Sequence, residues 1–207
     1  MFSDPAKNVP YFGLAEGNRV ADFGAGSGAY SLEMAKRVGS SGMVYALEVQ
    51  KEVLERLARE AKAQKAHNLK VIWADVDKLG GSKLPDNSLD AVLLANVLFQ
   101  SDQKYTMILE AKRILHAGGR VIIIDWSGSF NQLGPVPERV IKPEQVKEIT
   151  AQAGLKFLMV KQDKKNGDFG GGLYSHGLAT IAMCEAYGLT SDSTWLASTR
   201  PWHAPSI

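Results

Sequence analysis

Arg19–Gly28 reads RVADFGAGSG, an apolar run that closes on an acid and three alternating glycines. Val20, Ala21 and Phe23 have the composition of a buried strand. Gly24, Gly26 and Gly28 allow a sharp turn and let a ligand come close to backbone that carries no Cβ. Leu32, Ala35 and Val38 then recur at helical spacing, so the turn opens a helix over about 29–38 whose free N–H groups face the turn. A strand, a glycine turn and a helix in that order form the first half of a nucleotide-cofactor unit.

The same alternation continues outward from this unit. MVYALEV (Met43–Val49) is a strand with Glu48 near its end, and 50–66 is a charged helix with Val53, Leu54, Leu57 and Ala61 on one stripe. A strand over 69–74 exits at Asp75, a polar loop over 77–88 follows, and LDAVLLANV (Leu89–Val97) is a buried strand ending at Asn96. The helix over 103–115 is stopped by His116-Ala117-Gly118-Gly119, and RVIIIDW (Arg120–Trp126) carries Asp125. After a Gly/Pro-containing loop over 127–137, a helix spans 143–153 and stops at Gly154.

This pattern predicts an α/β, Rossmann-like doubly wound fold with a mainly parallel sheet, helices on both faces and a C-terminal antiparallel strand. Such sheets bind ligands at the carboxyl ends of their strands, where Asp22, Glu48, Asp75, Asn96 and Asp125 all fall. The antiparallel pair is expected from 156–161 and 176–183, around the glycine-rich loop 167–172. The alternative for SHGLATIAMCEAYGLTSD (175–192) is an amphipathic helix. The strand is preferred because the sheet needs a partner at its edge.

At 207 residues and 45% hydrophobic content the chain suits one α/β domain, placed at 1–183, with 184–207 as an unassigned tail. A net charge of +2 with dispersed lysines indicates no nucleic-acid surface. No apolar run reaches the roughly 18 residues of a spanning helix, and no leader pattern is visible, so a cytoplasmic setting is expected. One cysteine excludes an internal disulfide or a thiolate metal cluster, and the four histidines show no ligand spacing.

Two cofactors use a glycine turn at this place. Gly24, Gly26 and Ala29, with Glu48 about twenty residues on, fit the dinucleotide pattern G-x-G-x-x-G/A. Asp22, Gly24, Gly26 and Gly28 fit acidic-x-G-x-G-x-G. A carboxylate beside the turn would repel a pyrophosphate and attract the ammonium and sulfonium of S-adenosylmethionine. The charge argument favours S-adenosylmethionine, with an NAD(P)-dependent oxidoreductase and a non-catalytic cofactor-binding protein as alternatives.

From about Val9 to Leu158 the chain resembles the class I S-adenosylmethionine-dependent methyltransferases, and within them the ubiquinone/menaquinone C-methyltransferases. The resemblance is carried by VADFGAGSG, LPDNSLDAVLLANVLF and AKRILHAGGRVIIIDW. It implies a methyl transfer to a small-molecule acceptor, and a cofactor site whose Asp22–Gly28 segment, including Gly24, Ala25 and Gly26, wraps the methionine part. Glu48 would accept from both ribose hydroxyls, with Val49 beside it. Asp75 would face the adenine amino group with Val76 near the ring, and Asn96 would border the transferable methyl. Arsenite methylation needs several cysteines, which this chain lacks. If the acceptor needs a base, the positions at the rim are Asp125, His176 and Asp102. Asp125 can equally orient a loop, and Asp102 also reads as a helix N-cap. Phe99 and Trp126 could wall an acceptor pocket, and Phe2–Phe12 could form a lid or a packed arm.

Overall fold

The computed structural model describes residues 4–126, 128–129, 134–162 and 179–186. β1 (Arg19–Phe23) lies inside the sheet because Val20 to Phe23 are all buried, with parallel neighbours β2 (Met43–Glu48) and β4 (Leu89–Ala95). β3 (Leu69–Trp73) extends the sheet beyond β2, and β5 (Leu115–Trp126) extends it beyond β4, all in parallel. β6 (Leu155–Gln162) and β7 (Ala179–Ala186) complete the order β3-β2-β1-β4-β5-β7-β6. The chain winds outward from β1 in one direction and from β4 in the other. The crevice at the ends of these two strands is therefore the topological switch point.

Alternation along the strands divides the core. Val92, Leu94, Val121 and Ile123 pack with Met107, Ile108, Ala111 and Ile114 of α4 (Lys104–Ile114) and Val146 of α5 (Pro143–Gln152). Ala91, Leu93, Ile122 and Ile124 face the other way, onto Tyr30, Met34, Ala35 and Val38 of α2 (Ala29–Val38). Period-2 strands and 3.6-period helices thus bury both faces of the sheet. The highly charged α3 (Lys51–Ala63) buries only Leu57 and Ala61. Among the described residues, no helix is long and apolar enough to cross a membrane.

Several local expectations change. His116–Gly119 does not separate helix from strand: α4 ends at Ile114, and β5 starts at once with Leu115 opposite Leu89. The next pairing on this side is Arg120 with Ala91, so these four residues bulge out of a continuous strand. His116 Nε2 lies 3.0 Å from Asp90 Oδ1 and ties the bulge down.

The segment 179–186 is a strand and not a helix. β7 pairs antiparallel with β5 on one side and β6 on the other, and two sets of ladder bonds outweigh the local preference of an alanine-containing run. It runs to Ala186, past the expected end at 183. His176, the glycine-rich loop and 187–207 lie outside the described residues.

At the N-terminus the described residues form a packed arm, not a lid. The short helix α1 (Pro5–Asn8) leads into a 3-10 turn, Val9–Phe12. Phe12 is fully buried and stacks on Tyr30 at 6.0 Å, while Asn8 Nδ2 donates to the Tyr30 hydroxyl (2.7 Å).

Candidate functional site

At the ends of β1, β2, β3 and β4 lies a cleft of about 340 Å³. Gly24, Gly26, Glu48, Val49, Asp75 and Val76, all expected at the site, line it together. The last residue of β2 is Glu48, which is only 7% exposed. Its Oε1 accepts the N–H groups of Val49 (2.9 Å) and Gln50 (3.0 Å), and its Oε2 accepts the N–H of Gly26 (3.1 Å). One carboxylate therefore binds the glycine turn to the start of α3. A carboxylate offers about four lone-pair positions, so acceptor capacity remains toward the cleft.

Two residues beyond β3, Asp75 is held by its Oδ2 contact with Lys78 Nζ (2.8 Å) and by the N–H of Asp77 on Oδ1 (3.3 Å). The Lys78 hydrogen bond keeps the Asp75 carboxyl below the usual range, so it faces the cleft as an ionised acceptor.

The three glycines of the turn have positive φ, each for a different reason. At Gly26 (φ 54°) the nearest atom to an added Cβ is 3.9 Å away, which leaves backbone open to the cleft. An added Cβ at Gly24 would lie 2.8 Å from Val97 Cγ2, and at Gly28 it would lie 1.9 Å from Leu57 Cδ1. Gly28 thus lets α2 start against α3, and neither it nor Ala25 lines the cleft. The turn also uses its own donors: Ala25 N–H bonds to Leu47 C=O and Gly28 N–H to Ala25 C=O, each at 2.9 Å.

For Asp22 the structure changes the argument. Its carboxylate does not line the cleft but lies buried beneath the turn, where it accepts the Ser31 hydroxyl (2.5 Å) and the Ser31 N–H. Ser31 is the third residue of α2, so Asp22 caps the helix from the neighbouring strand. Burial, opposed by the Ser31 hydroxyl and reinforced by the charge of Glu48, pushes its carboxyl up to about 7. Two carboxyl groups and a turn with three internally used N–H groups make a poor seat for a pyrophosphate. Nothing in the site favours the nicotinamide alternative.

Asn96 also lies outside the lining. It has φ 55°, donates its N–H to Ile124 C=O (2.7 Å) and accepts Gln100 Nε2 on its own C=O (2.7 Å), so it turns the chain out of β4. Asparagine tolerates this left-handed backbone better than most residues. Asp125 is buried and accepts the N–H groups of Trp126 (2.8 Å) and Phe99 (3.2 Å). Burial raises its carboxyl to about 6 against those hydrogen bonds. It orients the loop after β4, and neither Phe99 nor the buried Trp126 reaches the cleft. Asp102 is not the N-cap of α4: that place is held by Gln103, whose N–H bonds to Ser101 Oγ (2.8 Å), while Asp102 pairs at the surface with Arg139 (3.8 Å).

The sequence reading missed part of the wall. Val97, Gln100, Ser101 and Met107 come from the β4–α4 connection and α4, and Asp77 from the β3 loop. Ser101 Oγ donates to Asp77 Oδ1 (2.7 Å), which joins two connections far apart in sequence. No local pattern marks that bond. Val53, read from the sequence only as part of the apolar stripe of α3, also lines the cleft.

Comparison with known proteins agrees with this fold. The family model described as a methyltransferase domain (Methyltransf_31) matches residues 14–169. The ubiquinone/menaquinone biosynthesis C-methyltransferase UbiE of Azotobacter vinelandii is 30% identical over 123 residues, 58% of this chain and 47% of that protein. The chain spans about half the length of the curated relatives it matches. A SAM-dependent methyltransferase from Aquifex aeolicus superimposes with a TM-score of 0.74 at 27% identity, covering 88% of this chain and 89% of that one. An arsenic(III) S-adenosylmethionine methyltransferase from Chlamydomonas reinhardtii shares the fold, with a TM-score of 0.64 at 22% identity over 83% of this chain and 64% of that one.

Proposed function

The chain belongs to the methyltransferase-domain family, and from that premise we propose that it binds S-adenosylmethionine in the cleft and transfers its methyl group to a small-molecule acceptor. The observation that carries this reading is the convergence of Gly26, Glu48 and Asp75 on one cleft. An open glycine backbone, a fixed carboxylate and an ionised acceptor at the far wall suit an adenosyl ligand. The remaining acceptor capacity of Glu48 fits vicinal ribose hydroxyls, and the Asp75 carboxylate fits the adenine amino group, with Val49 and Val76 as apolar flanks. In the absence of an added Cβ, the surface at Gly24 and Gly26 fits the methionine part.

Bound S-adenosylmethionine supplies a methyl on a positively charged sulfur, already activated for in-line displacement. The protein therefore has mainly to bind, orient and exclude water. Glu48 does this by holding the turn and the start of α3 in one geometry. The Glu48 carboxylate lines the cleft and gives it a negative charge that suits a cation, while Asp22 lies beneath the turn with its carboxyl raised to about 7. Asp125 holds the rim between β4 and β5 by accepting the N–H groups of Phe99 and Trp126. We assign it to orientation, with no side-chain base required for the transfer.

Isothermal titration with S-adenosylmethionine, S-adenosylhomocysteine and NADP, repeated on Glu48→Ala, tests the reading. Micromolar binding of both adenosyl compounds, weakened at least about tenfold in the variant, is expected, since hydrogen bonds to a charged group contribute about 1.5–3 kcal/mol. Binding of NADP alone, or of none of the three, overturns it.

A further inference from the structure

Glu110 and Arg113 of α4 form a pair that the reaction itself does not use. Glu110 is fully buried, and its two oxygens accept four donors. Two are backbone N–H groups of the β3–β4 connection, Gly80 (2.7 Å) and Ser82 (3.0 Å). The other two are Arg113 Nε (2.9 Å) and Nη2 (2.7 Å). Arg113 in turn donates to Ser82 Oγ (3.1 Å) and Leu84 C=O (3.0 Å), and pairs with Asp86. A buried carboxylate and its cation thus grip the connection at Gly80, Ser82, Leu84 and Asp86.

That grip extends to the cleft. Asp75 C=O accepts Lys78 N–H (3.4 Å) and Lys78 C=O accepts Gly81 N–H (2.9 Å), so 75–81 is a continuous run of turns. Gly81 also packs so closely on Asp75 that an added Cβ would lie 1.8 Å from its carbonyl oxygen. Gly81 lies between the two N–H groups that Glu110 holds.

We propose that Glu110 and Arg113 are positioning residues for base recognition: by fixing 80–86 they hold the Asp75 carboxylate where it accepts the exocyclic amine of the bound nucleoside. This inference rests on the reading of Asp75 given above.

The test compares affinities for S-adenosylhomocysteine and S-inosylhomocysteine, which differ in presenting an amine or a carbonyl to Asp75. The wild type prefers the adenosyl compound by at least about tenfold, the cost of facing a half-buried, ionised acceptor with an acceptor. Asp75→Asn, whose amide can donate, abolishes that preference. Glu110→Gln reduces it at least about fivefold while affinity for the inosyl compound changes less than about twofold. A purely structural role would lower both affinities in parallel and leave the ratio intact. Arg113→Lys, which keeps a charge opposite Glu110 but cannot span Ser82, Leu84 and Asp86, is measured beside it and gives the same loss of ratio if Glu110→Gln does not fold. A wild-type ratio in whichever variants fold, with Asp75→Asn collapsed, overturns the positioning role alone. An unchanged ratio in Asp75→Asn overturns the adenine reading and the inference with it.

Discussion

Gly28→Ala separates the structural glycine of the turn from the one that faces the cleft. At Gly28 the backbone has φ +81°, and an ideal Cβ would lie 1.9 Å from Leu57 Cδ1 and 3.2 Å from Leu57 Cγ. Alanine in a left-handed conformation costs about 1–2 kcal/mol. Forcing a methyl into the fully buried Leu57 adds an overpacking cost of about 1–3 kcal/mol, for a total of about 2–5 kcal/mol. Leu57→Ala alone costs about 2–5 kcal/mol from lost contacts and the cavity left behind. In the double variant the new methyl occupies space that Leu57 has vacated, so the combined loss falls short of the sum by about 1–3 kcal/mol. Gly26→Ala is the control: its φ is +54° and its nearest neighbour is 3.9 Å away, so only the backbone cost of about 1–2 kcal/mol applies. Urea unfolding of the four variants and wild type measures these differences, provided the slope m is unchanged. S-adenosylhomocysteine affinity falls more in Gly26→Ala than in Gly28→Ala, because only the former places a methyl in the cleft. A Gly28→Ala loss equal to that of Gly26→Ala, or additivity with Leu57→Ala within about 0.5 kcal/mol, would refute the packing argument.

Asp22 has a folded pKa of about 7 against 3.8 for the free side chain, so between those values the folded state holds a proton that the unfolded state has lost. Its contribution therefore weakens as pH rises from about 4 to about 7, by up to about 4 kcal/mol at 1.36 kcal/mol per unit. Urea stabilities of wild type and Asp22→Asn across pH 4–8 should diverge over that window, and parallel profiles would sink the idea. Asn96→Gly should leave stability within about 0.5 kcal/mol, whereas Asn96→Ala loses about 1 kcal/mol at φ 55°; the reverse order in thermal or urea unfolding would remove the backbone explanation.

The sequence by itself determined the alternation of strands and helices, the glycine turn and the acid closing β2. Each depends on short-range physics: strand and helix periods, positive φ at glycine, and turn residues at element ends. Glu48 and Asp75, with Val49 and Val76 beside them, line the cleft as their places at the exits of β2 and β3 led one to expect. Asp22 and Gly28, expected at the cofactor, do not line the cleft, because their environments come from elsewhere: Ser31 takes the carboxylate beneath the turn, and Leu57 fills the space beside Gly28. The strand preferred for the C-terminal segment is borne out as β7, inserted between β5 and β6, whereas His116–Gly119, expected to separate helix from strand, bulges from β5 because Leu115 and Arg120 both find partners on β4. Only the tertiary structure joins Ser101 to Asp77, and Glu110 to Gly80 and Ser82. Those contacts depend on which buried polar groups meet after the core has closed, and burial makes pairing compulsory only then.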